Sequence, residues 1–392
     1  MIDDRLASCL DPTCLPGATA EHRQLRDAIR RFVERELAPH VDAWDEAGEF
    51  PRELHRKAAE IGLLGLGYPE SVGGTPSDTL SRIVATIELT RAGSGGLIAG
   101  LMTHTIMLGP LLEAGAPALV ERVVPAILRG DAIGALAVTE PSGGSDVAQL
   151  ATRASADTDG WRLQGSKTFI TSGMRADHYL VAARTSGAGA QGISLFLVDR
   201  DTPGFSRTPL RKTGWWCSDT AQLHFDDCPV GRDRLVGPLD AGFPLVMRNF
   251  NGERLAMAAQ AVGFAIVCFE DALAWARERR AFGEPLVGHQ VIRHKLVRMI
   301  EEIAPVLAWL AQLAGCIDRG ERPAAQIALA KNRAARVMRH CADDAVQILG
   351  GAGYMRGTRV ERIYREVKVM MIGGGAEEVL VELAARQLGV AP

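Results

Sequence analysis

The hydrophobic period of this chain changes twice, and those changes limit the folds open to it. From about Glu21 to Arg129 apolar residues recur at helical spacing; Leu25, Ile29, Phe32, Val33 and Leu37 make one stripe that stops at Pro39. Glu53 to Ile61 and Asp78 to Arg91 repeat the period, with a glycine- and proline-rich break at Gly65 to Gly74 between them. After Gly130 the texture becomes short alternating or β-branched runs: Trp161-Arg162-Leu163, Tyr179 to Ala182, Ile193 to Val198 and Gln222 to Phe225. From Gly242 long helical patterns return, over Leu245 to Arg280, Val291 to Arg319, Pro323 to Leu349, and finally about Ala376 to Leu388. Helices, then strands, then helices predict an α+β chain in three parts: 1–134, 135–240 and 241–392. A doubly wound nucleotide fold needs strand and helix in alternation, which this order does not offer.

At 392 residues the chain is too long for one simple core, in keeping with that division. The net charge is −3 and Lys and Arg are spread evenly, so the clustered basic footprint of a nucleic-acid binder is missing. A phosphate-rich small ligand would need locally placed cations instead. The seven cysteines are odd in number and scattered without a C-x-x-C pair, which predicts reduced thiols and no metal site. Asp3, Asp4 and Asp11 occupy a terminus without the apolar stretch of a secretory signal. No run approaches the ~18 uninterrupted apolar residues of a membrane span. The expectation is a cytoplasmic enzyme with no membrane insertion.

Five segments carry candidate chemistry. Ala137 to Asp146 includes Gly143 and Gly144, which let backbone N–H groups approach a ligand, and Thr139 and Ser145, whose hydroxyls can bond a heteroaromatic edge or a phosphate. A plain polar loop at a strand end would read the same. In Lys167 to Gly173 the strand alternation puts Phe169 and Thr171 on one face, where they could cover and hydrogen-bond a planar ring, or simply fill a core. Glu253 heads a stripe of Met257, Ala261, Phe264 and Cys268, so desolvation could raise its pKa into the range of a general base. The competing roles are an acid near a helix N-terminus or a partner for Arg254. Arg277 to Gly283 and Gln347 to Tyr354 close two helices, either as ordinary caps or as a cationic pyrophosphate clamp.

In order and spacing these segments resemble the acyl-CoA dehydrogenase family from about Glu21 to Gln387. The matching motifs are Thr139-Glu140-Pro141 with Gly144-Ser145-Asp146, Phe169-Ile170-Thr171, Arg279 to Gly283 with Gln290, Gln347 to Tyr354, and Gly373-Gly374-Gly375-Ala376-Glu377-Glu378. The resemblance implies an N-terminal helical domain, a middle β-barrel, a C-terminal four-helix bundle, FAD, and a homotetramer built as a dimer of dimers. By the same resemblance the Val138 backbone and Thr139 hydroxyl contact the flavin pyrimidine edge, and Gly144 and Ser145 lie by FAD, Ser145 also by the acyl-CoA. Thr171 bonds flavin N5 and Phe169 covers the ring where many relatives carry Trp. Arg279, Phe282, Gln290, Gln347, Gly350 and Gly351 reach the FAD of a neighbouring subunit, with Ala281 standing where relatives often have Thr. Ala376 and Glu378 complete the cofactor set; Asn251, Arg254 and Gly375 join Ser145 at the substrate.

The base departs from one branch of the family. Medium- and short-chain members carry a Glu in the terminal loop, at the position of Gly374 here. Isovaleryl-CoA and long-chain dehydrogenases instead have Gly in that loop and Glu on the helix, the context of Glu253-Arg254-Leu255. The resemblance then implies a concerted α,β-elimination: Glu253 removes the pro-R α-proton as hydride leaves Cβ for flavin N5, and the Gly374 N–H polarises the thioester oxygen. The product is a trans-2-enoyl-CoA, the substrate a branched, medium or long acyl-CoA, and the acceptor an electron-transfer flavoprotein. Three other readings stay open at this point: an acyl-CoA oxidase, a flavin monooxygenase of the same fold, and a non-catalytic acyl-thioester binding module.

Overall fold

The computed structural model describes residues 4–390; Asp3 lies outside them. The first part is helical: α1 (Asp4–Leu10), α2 (Ala20–Phe32), α3 (Val41–Ala47), α4 (Glu53–Glu60), α5 (Thr79–Leu89), α6 (Gly95–Leu101), α7 (Thr105–Ala114) and α8 (Pro117–Leu128). The caps explain two of the starts. Thr19 and His22 bond reciprocally ahead of α2, and the Asp78 carboxylate accepts from Ser81 N–H at 2.7 Å ahead of α5. Ile29, Phe32, Val33 and Leu37 of the leading stripe are all buried; its last five residues continue α2 as a π-turn that stops before Pro39.

The middle part is one sheet of eight strands: β1 (Gly134–Ala137), β2 (Arg153–Asp157), β3 (Gly160–Thr171), β4 (His178–Arg184), β5 (Ile193–Asp199), β6 (Phe205–Pro209), β7 (Thr220–Gly231) and β8 (Leu235–Val236). The hydrogen-bonded order is β6-β7-β3-β2-β4-β5-β8, with β1 parallel to β4. The barrel takes the form of a curled sheet with β6 and β8 as its ends. It bends at two irregularities in β3, between Leu163 and Gly165 and between Lys167 and Ile170. Alternation sorts its faces. On β4 and β5, Tyr179, Val181, Phe196 and Val198 point into the sheet's own core with Phe225, while Leu180, Ala182, Leu195 and Leu197 pack on α7, α8 and the following helix. Gly187 to Gly192 has dinucleotide-loop spacing, yet it joins the antiparallel β4 and β5 and opens no long helix.

The third part holds α9 (Gly242–Glu278), a hairpin of β9 (Arg280–Ala281) and β10 (Glu284–Pro285), α10 (Gln290–Asp318), α11 (Ala324–Leu349), the short α12 (Gly351–Tyr354), α13 (Arg359–Ile372) and α14 (Glu377–Gln387). The long helices α9, α10, α11 and α13 share one core with the N-terminal helices. Periodicity alone left α13 unassigned. Its signal was a capping pattern, Thr358-x-x-Glu361, and the Thr358 hydroxyl does accept from Glu361 N–H at 3.2 Å. The apolar-run expectation also needs correcting: Gly95–Ala114, Gly242–Glu278 and Gln290–Asp318 are long and apolar enough to cross a membrane by length and composition. Only 33% of the most apolar window of Gln290–Asp318 is buried within the chain.

Candidate active site

One cluster forms where β1 runs into its glycine-containing loop. Lys167, fully buried on β3, donates to Val138 O at 3.0 Å and to the Glu140 carboxylate at 2.7 Å. Glu140 also accepts from the N–H groups of Ala151 and Thr152, and Thr168 N–H donates to Thr139 O at 2.8 Å. Burial pushes Lys167 down to about 8, while Lys167 and the loop N–H groups hold Glu140 below the usual carboxylate range. This network fixes Val138 and Thr139 beside β3. Phe169 then lies in the second β3 irregularity with φ +60° and is 71% exposed, between buried Thr168 and Ile170. A bulky side chain held in the left-handed region with its ring uncovered is strained and solvated at once, and a planar ligand stacked on the ring would remove the second of these costs. Thr171 is half-buried at the end of β3, beyond the irregularity that interrupts the strand alternation at Phe169, and Gly144 and Ser145 are exposed on the loop.

A second cluster gathers around Glu253, three turns inside α9. That depth removes the helix-terminus role, and Glu253 makes no ion pair with Arg254 among the described residues. Arg254 is spent elsewhere: its Nε donates to Gly374 O at 2.9 Å and an Nη to Asn251 Oδ1 at 3.2 Å. Met257, Ala261, Phe264 and Cys268 are buried, so the apolar stripe exists as read. Burial pushes half-buried Glu253 up to about 7, against the pull of Arg254 and Lys331. From α11, Lys331 donates to Gly375 O at 2.9 Å and Asn332 to Glu377 O at 2.9 Å. Three carbonyls of the glycine loop and the head of α14, those of Gly374, Gly375 and Glu377, are thus held by side chains of α9 and α11. Gly373 N–H is used by Val369 O, whereas those of Gly374 and Gly375 have no partner among the described residues. The loop can offer hydrogen-bond donors to an oxygen that gains negative charge.

Gly374 has φ +66°, and a Cβ there would sit 2.7 Å from Met257 Sδ. A side chain at Gly374 would need a left-handed backbone and a shift of the Met257 thioether, and the loop itself carries no carboxylate between Gly373 and Gly375. Half-buried Ala376 caps α14 and Glu378 is exposed in its first turn. No hydrogen bond joins the two clusters among the described residues. A single loop links them: Thr220 pairs with Thr171, and Trp215 N–H donates to Glu366 on α13, which leads into Gly373.

Arg279, Phe282 and Gln290 lie at the far end of α9, and Gln347, Gly350 and Gly351 at the matching end of α11, all exposed. The Lys295–Asp344 ion pair between α10 and α11 places these two groups at one end of the bundle. The structure does not bring them to Glu253. Lys331, Lys167 and Glu140 are site residues that sequence reading passed over. Lys331 had a legible signal, since Ile327, Ala328, Ala334, Ala335 and Met338 surround it at helical spacing, the pattern that singled out Glu253.

Comparison with known proteins adds the following. Residues 19–131, 135–228 and 240–389 match the N-terminal, middle and C-terminal domains of acyl-CoA dehydrogenase. An acyl-CoA dehydrogenase of Bacillus subtilis is 36% identical over 92% of this chain and 96% of its own. The mitochondrial long-chain specific acyl-CoA dehydrogenase of Sus scrofa is 34% identical over 94% and 87%. A crystal structure described as an acyl-CoA dehydrogenase from Mycobacterium smegmatis superimposes with a TM-score of 0.94 at 44% identity, covering 95% of this chain and 99% of that one.

Proposed function

Because the chain belongs to the acyl-CoA dehydrogenase family, we propose that it oxidises the Cα–Cβ bond of an acyl-CoA thioester with FAD, and that Glu253 is its base. The observation that carries this reading is Glu253 itself, a carboxyl on an apolar stripe with a proton affinity near neutrality, beside a glycine loop in which the Gly374 and Gly375 carbonyls are held and the N–H groups of the same two residues have no partner among the described residues. A group with a pKa near the working pH is both present as carboxylate and basic enough to take a weakly acidic proton.

FAD fits the first cluster: the pinned Val138 and Thr139 offer polar atoms to a heterocycle edge, uncovered Phe169 offers a ring face, and Thr171 a hydroxyl. FAD, when bound, accepts the two electrons and the hydrogen that leave Cβ. Glu253 takes the α-proton and becomes neutral. The Gly374 N–H bonds the thioester oxygen as it gains charge, while Arg254 and Lys331 keep the loop from turning away. The product is the trans-2-enoyl-CoA. Gly374 carries no side chain, which leaves room at the α and β carbons for a branched, medium or long acyl group. We read the acceptor as an electron-transfer flavoprotein and the enzyme as a cytoplasmic homotetramer, the exposed Arg279, Phe282, Gln290, Gln347, Gly350 and Gly351 serving the FAD of a neighbouring copy.

Anaerobic titration of FAD-loaded wild type and Glu253→Gln with straight, branched and aromatic acyl-CoAs tests this. Wild type should lose its visible flavin absorbance with at least one class, and Glu253→Gln should bind that thioester without bleaching. Equal bleaching by both proteins removes Glu253 from the chemistry. Binding without bleaching by either points to the thioester-binding module, no response to any acyl-CoA to the monooxygenase, and fast reoxidation in air to the oxidase.

A further inference from the structure

Lys331 is 1% exposed, yet among the described residues its ammonium forms no ion pair with a carboxylate. Its hydrogen bond goes to a neutral backbone oxygen, Gly375 O at 2.9 Å, next to the carbonyl that Arg254 grips at 2.9 Å. The charged groups facing Glu253 are Arg254 from its own helix and Lys331 from α11; Glu377 of α14 acts on Lys331 but is itself paired with Arg336. The glycine loop is therefore flanked by two cations and one carboxylate. Burying a second cation beside an arginine is costly, and a well-packed apolar side chain in the same place would spare that cost.

We propose that Lys331 is a positioning residue for Glu253 and the glycine loop: it fixes the loop through Gly375 O, and its charge keeps Glu253 ionised enough to act as a base. This rests on Glu253 being the base, as argued above. Peptide groups are planar and trans, so tethering the Gly374 and Gly375 oxygens turns the N–H groups of Gly375 and Ala376 the opposite way and fixes the loop's pitch. Burial raises the proton affinity of Glu253, and the Lys331 cation opposes that rise. When Glu253 accepts a proton the two cations are left facing a thioester that is gaining negative charge, which is when they stabilise most.

The test separates loop shape from charge. Lys331→Gln keeps a donor for Gly375 O without charge, Lys331→Arg keeps charge, and Lys331→Met keeps neither. In FAD-loaded, full-length protein the Glu253 carboxyl band, identified by difference infrared spectroscopy as the one missing from Glu253→Gln, should titrate near 7 in wild type. Loss of the neighbouring cation should raise that midpoint by about one pH unit, a tenfold change in proton affinity, in Lys331→Gln and Lys331→Met, with Lys331→Arg close to wild type. An unmoved midpoint in folded Lys331→Gln overturns the assignment. The infrared readout needs no substrate: a shifted midpoint in a protein that no acyl-CoA bleaches sinks the dehydrogenase reading alone, and bleaching with an unmoved midpoint sinks the Lys331 role alone.

Discussion

A carboxyl that stays protonated to about 7 inside a fold weakens that fold wherever it is ionised. Between its ordinary value of 4.5 and about 7 the native state of this protein binds the Glu253 proton more tightly than the unfolded chain does. Stability must therefore fall as pH rises through that window, with the penalty absent below it and complete above it. Glu253→Gln should melt with wild type near pH 4.5 and above it at pH 8, by about 1 to 3 kcal/mol, the lower figure suiting a half-buried group. Calorimetry of both proteins at the two pH values checks this; a constant difference means that Glu253 is not desolvated. Glu366, also pushed to about 7 by burial, is common to both and cancels. Glu253 was legible in the sequence because its neighbours at three and four residues are apolar. Lys331 satisfied the same criterion and went unread, since a lysine in an alanine-rich helix looks like an ordinary solvated residue. The φ of Phe169 was not legible, because it arises from a register shift between β3 and β7 that no local pattern encodes.

Among elements, the strands and long helices followed from period, whereas α13 went unread, although Thr358 and Glu361 mark its start with a cap. The same difference appears in the loop after β1. Its glycines and hydroxyls were visible as a motif, but what holds it is a buried pair 27 residues apart in the chain, Glu140 of the loop itself and Lys167 of β3. Hydrophobic alternation gives no sign of such a pair, since both positions read as polar. Removing one partner leaves the other charged and dry. Lys167→Met should cost about 3 to 5 kcal/mol in denaturant unfolding, and adding Glu140→Gln should recover part of that loss. The double variant should still bind FAD less tightly than wild type, because Val138 O loses the Lys167 ammonium that holds it. Losses that simply add would mean the two side chains act independently, contrary to the 2.7 Å contact.

At the scale of the whole molecule, the length of α9 decides which residues can serve one cofactor. Glu253 and Arg279 are 26 residues apart on or at the end of this continuous helix, roughly 39 Å at 1.5 Å per residue. A ribityl chain between flavin ring and pyrophosphate covers only a fraction of that distance. If Arg279 binds a pyrophosphate, it is one belonging to another copy of this chain. Two surface features fit such a neighbour. Phe282 is 99% exposed with φ +50° at the tip of the β9–β10 hairpin, and α10 leaves Val291 and Val297 exposed along an apolar helix. Exposed aromatic and aliphatic residues beside a cationic helix end are what a partly apolar interface with a phosphate-bearing ligand at its edge requires. Phe282→Asp places a charge there without touching either cluster of its own chain. It should shift the mass measured by light scattering toward smaller species and weaken FAD binding at least tenfold, about 1.4 kcal/mol, with the two losses tracking each other as protein concentration is varied. Retained mass with lost FAD would make Phe282 a local cofactor contact, and lost mass with unchanged FAD affinity would place the whole cofactor site within one chain, against the roughly 39 Å between Glu253 and Arg279.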